Sequence, residues 1–128
     1  MPPVFLNLGE ILDIHRDQIE RYGGDPAIRD LTLLRSALAM PTAGVGDGYL
    51  HNDLFEMASA YLFHLIGNHP FIDGNKRTGA VAALVFLSLN GIEIEVDEDS
   101  FEALVRSVAE GRTSKPFVAE FFRRHAVP

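Results

Sequence analysis

The segment Lys76–Asn90, KRTGAVAALVFLSLN, constrains the fold more than any other part of the chain. After its first residues it is apolar on every side, with no polar stripe to offer solvent. A helix of that kind must be surrounded by other helices, so it is expected to be the hub of the domain. Asn90–Gly91 would end it. The uncharged run Thr78–Gly91 is shorter than the roughly 20 residues a membrane-spanning helix needs, so its surroundings are expected to be protein.

The rest of the chain supplies helices to pack around it. Asn7 and Glu10 make a capping-box start, followed by Leu8, Ile11, Leu12, His15 and Ile19 on one stripe, with Gly23 and Gly24 as the stop. Asp30 can cap a short helix over LTLLRSALAM that Pro41 ends. The stretch TAGVGDGYLHN, residues 42–52, reads as a flexible loop or hairpin. Asp53, with Glu56 three residues on, opens LFEMASAYLFHLIG. Beyond the hub, Ile92, Ile94 and Val96 alternate with Glu93 and Glu95, the pattern of a brief strand or extended edge. DEDS then caps FEALVRSVAEG, and Ser114–Pro116 starts FVAEFFRRH. No linker, repeat or low-complexity stretch interrupts the pattern. The expectation is an all-α fold of about six helices with a minor β element, in one domain over residues 1–128.

Composition narrows the function. Apolar residues make up 47% of the chain and charged ones 23%, which fits a packed globular protein rather than a disordered one. There is no cysteine, which excludes thiol chemistry and thiolate metal sites. The N-terminus lacks the basic start of a signal peptide, and a cytoplasmic location is expected. Eleven basic residues against 18 acidic ones, a net charge of −7, argue against direct nucleic-acid binding. A small anion needs only a local cluster, and Lys76–Arg77 is one.

That cluster belongs to HPFIDGNKRTG, His69–Gly79. Phe71 would anchor the loop in the core as a structural residue. Asp73 offers a carboxylate to a hard cation such as magnesium. Gly74 and Asn75 lead into the hub helix, whose first N–H groups and dipole favour phosphate, with Lys76 and Arg77 adding charge. His69 stands beside them, and imidazole is a side-chain type that serves as a general base near neutral pH. A plainer account has Asp73 or Asn75 capping the helix, Gly74 permitting the turn and both cations solvated. That account leaves His69 unexplained, and it leaves two cations at a helix end where positive charge is mildly unfavourable.

His69, Phe71, Asp73, Asn75 and Arg77 in this spacing resemble the signature of the Fic/Doc superfamily, and more closely its Doc branch, the death-on-curing toxins of toxin–antitoxin pairs. RYGGDPAIRD and the helix order extend the resemblance over nearly the whole chain. It implies a compact helical Fic domain with residues 42–52 as a flap that positions a target hydroxyl. It further implies His69 as general base, Asp73 as the magnesium ligand, Gly74, Asn75, Lys76 and Arg77 as the nucleotide-phosphate loop, and Phe71 as structural. Members that transfer AMP have glycine at the position of Lys76 and a second arginine at that of Ala80. Both departures agree with the Doc pattern, which implies ATP-dependent phosphorylation of a protein hydroxyl, with elongation factor Tu as the target. Some Fic proteins carry an inhibitory helix marked by Ser or Thr, three residues, then Glu and Gly or Asn. The first Ser or Thr here is Thr32, and SVAEG at 107–111 is one residue too short, so the resemblance implies a small antitoxin acting in trans.

Competing expectations are an AMP-transferase using the same base, an inactive module that keeps the fold and binds a partner, and a metal-dependent phosphohydrolase. The remaining histidines read as non-catalytic. His64 and His15 lie on apolar helix faces, and His51 lies in a loop. The acidic run Glu93–Glu102 lacks the spacing of a calcium loop. Arg123 and Arg124 suit the last turn of their helix, and Phe121 and Phe122 read as core.

Overall fold

A computed structural model describes residues 2–46 and 48–128. Six helices follow one another: α1 Leu8–Tyr22, α2 Leu31–Ala39, α3 Leu54–Asn68, α4 Asn75–Leu89, α5 Glu98–Ala109 and α6 Lys115–His125. Between α2 and α3 lies a hairpin of β1 Gly44–Val45 and β2 Gly48–Tyr49, antiparallel, with Gly44 opposite Tyr49. The extended edge expected at Ile92–Val96 forms an isolated bridge from Ile94 to Ala126, with the Glu95 N–H donating to the His125 carbonyl at 2.9 Å. Among the described residues, no helix is long and apolar enough to cross a membrane.

Local chemistry starts five of the helices. Asn7, Asp30, Asp53, Asp97 and Ser114 each accept a backbone N–H from the first turn, and Asn7 with Glu10 completes a capping box. Helix α4 is the exception, and the candidate site begins there.

The hub is a pair rather than one helix. Helices α3 and α4 pack on each other, α1 joins α4, and α2 and α6 join α3, while α5 touches both. Met57 through Leu62 are all buried, and the small Ala58, Ser59 and Ala60 let neighbouring backbones come close. Helix α4, read from its sequence as enclosed on all sides, keeps Ala80, Val81, Leu84 and Val85 half-buried and Leu89 exposed. Its free face borders an open cavity of about 480 Å³, so the apolar pattern there marks a groove wall as well as core. Midway along α3, Tyr61 ties down the N-terminal segment. Its buried hydroxyl accepts from the Leu6 N–H at 2.9 Å and donates to the Leu6 carbonyl at 3.3 Å, and burial raises its pKa to about 12.

A second polar feature joins α3 to α6. The Lys115 ammonium donates to His64 Nε2 across 3.0 Å, so the neutral ring carries its proton on Nδ1. Burial, then the Lys115 charge, then His51 lower the His64 pKa from 6.5 to about 4. The unfolded chain therefore binds this proton more readily than the native one. Stability from the neutral ring is complete above pH 6.5 and declines as pH falls from there towards about 4. Urea midpoints taken across that range are expected to drop in the wild type and to drop less in His64→Gln. Equal slopes would show that other groups govern acid sensitivity.

Candidate functional site

Helix α3 ends where Pro70, without an N–H, follows His69. His69 takes the left-handed conformation, φ 48° and ψ 54°, alone among the described non-glycine residues. A residue with a Cβ holds that geometry at a cost of about 1–2 kcal/mol, so neighbours must impose it. Arg29 does so from the α1–α2 connection: its Nε donates to the His69 carbonyl at 2.6 Å and its Nη2 to the Asn68 carbonyl at 2.9 Å. The N–H groups of Arg29 and Asp30 both donate to the Pro70 carbonyl, and the Ile72 N–H donates to Ala27. Ile28 thus lies antiparallel to Phe71 in a single bridge. The helix end stays hydrogen-bonded while the His69 side chain is left exposed.

Phe71 is fully buried, as its reading as an anchor predicts. The buried Asn75 amide closes the turn around it, accepting from the Phe71 N–H at 3.0 Å and donating to the Phe71 carbonyl at 2.9 Å. The Asn75 side chain therefore faces the loop, and only its backbone N–H is offered at the helix start. Under the loop lies His15, its ring 3.7 Å from that of Phe71 and inclined by 8°. His15 Nε2 lies 2.8 Å from the Asp73 carbonyl; a carbonyl only accepts, so Nε2 carries the proton. Asp73 Oδ2 accepts from the Asp25 N–H at 2.8 Å, while Oδ1 has no hydrogen-bond partner among the described residues. Gly24, at φ 121°, permits this approach, since a Cβ there would fall 2.9 Å from the Asp73 Cβ.

Gly74, at φ 82°, is the N-cap of α4 and provides no side-chain cap. The N–H groups of Asn75, Lys76 and Arg77 precede the first helical bond, made by Thr78 to Gly74. No acidic side chain offsets the two cations in this first turn. His69, Asp73, Gly74, Asn75, Lys76 and Arg77 line one cavity of about 350 Å³, closed on its apolar side by Ile66, Ile72 and Ala109. Lys76 is exposed and makes no ion pair among the described residues. Arg77 is partly committed elsewhere. Its Nη1 donates to the Gln18 carbonyl at 3.1 Å, its Nη2 to the Gly23 carbonyl at 3.0 Å, and its guanidinium lies 5.6 Å from the centre of the Tyr22 ring. It closes the C-terminus of α1, and the residue borders the cavity as well.

The resemblance implied a flap at residues 42–52; Asp47 lies outside the described residues, and the rest of that segment lies away from the motif. Tyr49 packs on Phe5, and Tyr49 and His51 border a different cavity together with Leu89 and Asn90. That is the other end of α4, about 20 Å along its axis from Lys76. Residues 23–30 are the ones that lie against the motif. The glycine-based reading of a loop or hairpin holds, and the packing of α2 sets it at this end of α4. His51 is buried rather than an idle loop side chain, with burial and the Lys115 charge lowering its pKa. His64 is half-buried on α3, away from this cavity. Phe122 is fully buried and Phe121 partly so, while Arg123 pairs with Asp53 and Glu120 rather than only facing its helix end. Among the described residues, no cluster of three acidic or histidine side chains could hold a metal unaided. His15, Gly24 and Arg29 form the seat of the loop and were not singled out as site residues. The only local signal for His15 was a polar ring on an otherwise apolar stripe.

Comparison with known proteins bears directly on this loop. The model of the Fic/DOC family matches residues 5–87, a span that includes the whole motif. The chain is 40% identical over 90 residues to the protein named Toxin Doc of Mycolicibacterium smegmatis, covering 69% of each. It is 34% identical over 115 residues to Protein kinase doc of Escherichia phage P1, covering 90% of each.

Proposed function

The chain belongs to the Fic/DOC family, and from that premise we propose that it is a cytoplasmic protein phosphotransferase, the toxin of a toxin–antitoxin pair. It moves the γ-phosphoryl group of ATP to a hydroxyl of a target protein. The observation that carries this reading is the shared cavity: an exposed imidazole, a carboxylate with one free oxygen, and an uncapped cationic helix start face the same 350 Å³.

Each residue has a part in the transfer. His69 accepts the proton of the target hydroxyl as that oxygen bonds to the γ-phosphorus. The bond from phosphorus to the bridging oxygen breaks, and ADP leaves. The N–H groups at the start of α4 and the Lys76 ammonium meet the negative charge on the phosphoryl oxygens. Arg77 adds charge beside them. Asp73 suits magnesium: Asp25 fixes one carboxylate oxygen and the other is free, and magnesium takes one or two carboxylates with phosphate and water. When bound, the ion would neutralise charge on the nucleotide phosphates.

Two residues favour transfer of phosphate over transfer of AMP. Lys76 fills space where the AMP-transferring pattern has glycine, and Ala80 removes a second arginine from the phosphate end. The relative from phage P1, named a protein kinase, agrees with this choice. A translation factor, elongation factor Tu, is the proposed target, and a small antitoxin with a disordered tail that folds on binding is the proposed inhibitor. Incubation of elongation factor Tu with the chain, magnesium and ATP labelled at the α- or the γ-position tests the reaction. Label from the γ-position, with a mass gain of one phosphate, is expected. Label from the α-position alone would make the enzyme an AMP-transferase.

A further inference from the structure

Resting on that reading of the loop, we propose that His15 is a positioning residue for the transfer. It would set the direction of the Asp73 carboxylate and of the first N–H groups of α4 without touching nucleotide or target. His15 is 3% exposed and borders none of the cavity at His69. It holds the loop twice, through the Nε2–H on the Asp73 carbonyl and through the face of its ring on Phe71. Those contacts are 58 residues apart in sequence for the first and cross from α1 into the loop for both. Gly74 packs on the same ring: a Cβ there would lie 3.5 Å from His15 Cδ2 and Nε2. The residue that could ligate magnesium and the residue that begins the phosphate end of α4 thus share one support.

The hydrogen bond falls on the backbone of Asp73, so its effect differs from simple core filling. With the carbonyl held by His15 and Oδ2 held by Asp25, two points of the residue are fixed and Oδ1 has a defined direction. A phenyl ring at position 15 keeps the stacking and the volume but cannot donate. The Asp73 carbonyl then loses its partner, and the peptide that leads into Gly74 is free to turn. Glutamine has the reach to present an N–H near the place of Nε2, although without the ring.

Two variants and two readouts test this. In His15→Phe, transfer of γ-phosphate is expected to fall about tenfold in kcat, with more magnesium needed for half-maximal rate and little change in KM for the target. His15→Gln is expected to recover most of that loss even though it unfolds at lower temperature. NMR of the free protein supplies the second readout: backbone amide order parameters of residues 73–77 should fall in His15→Phe and recover in His15→Gln. Unchanged order parameters in His15→Phe, kcat within about twofold of wild type, or equal losses in both variants in proportion to stability would overturn the proposal and leave His15 as packing. A wild-type chain that transfers nothing would overturn the phosphotransferase reading instead. The loop amides would still decide whether His15 orients Asp73.

Discussion

Replacing His69 by Ala is expected to lower the rate of the proposed phosphoryl transfer by about 10²–10⁴-fold, the usual weight of a positioned general base. The protein should stay folded. The imidazole is exposed, and the contacts that hold this corner use the backbone carbonyls of Asn68, His69 and Pro70, which the substitution leaves in place. What changes is the fit of residue 69 to its left-handed φ of 48°, where alanine is less at ease than histidine or asparagine. His69→Asn therefore serves as the matched control, keeping the backbone preference while removing the base. Both variants should show the same kinetic loss, and both should relieve the growth arrest expected when the chain is expressed without an inhibitor. Transfer that persists in both would remove His69 from the chemistry. Growth arrest that persists without transfer would favour an inactive module acting by binding.

Phe71→Ala is the substitution with the largest expected effect on stability, about 3–5 kcal/mol. The ring is fully buried, and its removal also leaves His15 without the surface it stacks on. Loss of transfer is expected as well, for a reason separate from global unfolding. The buried ring seats the backbone that the Asn75 amide clasps, and without that seat the turn from His69 to the start of α4 is free to shift. Equilibrium urea unfolding gives the first quantity. Transfer rates below the unfolding transition, at temperatures where the variant is still native by circular dichroism, give the second. A variant that keeps wild-type kcat while folded would show that the anchor supports stability alone.

The helices were legible in the sequence because their signals are local. Asn7, Asp30, Asp53, Asp97 and Ser114 each announce a helix start through a side chain that bonds three residues ahead, and all five do so in the structure. The central part of the candidate site was legible for the same reason: His69 and the residues from Asp73 to Arg77 come from one short loop, and they do border one cavity. Features that depend on how helices meet were not. Arg77 read as added charge at a helix start, and it also closes the end of α1 because that helix arrives alongside α4. The position of the hairpin failed for the same cause, since glycine spacing carries no information about which end of α4 the turn will meet. The half-exposed face of α4 was hidden by hydrophobicity itself: Val81 and Leu84 look alike in sequence whether they meet a helix or a groove.

The connection between α1 and α2 grips the motif from both sides, through Arg29 on the carbonyls of Asn68 and His69 and through the Asp25 N–H on Asp73. Folding itself therefore meets the conformational entropy of ordering this loop, before any nucleotide arrives. The polar groups are preorganised, so on the proposed reading a bound nucleotide would divert little of its binding free energy into ordering the loop. The same arrangement makes the connector and the reactive corner one mechanical piece. An inhibitor that displaced residues 23–30 would undo that corner without entering the cavity at all.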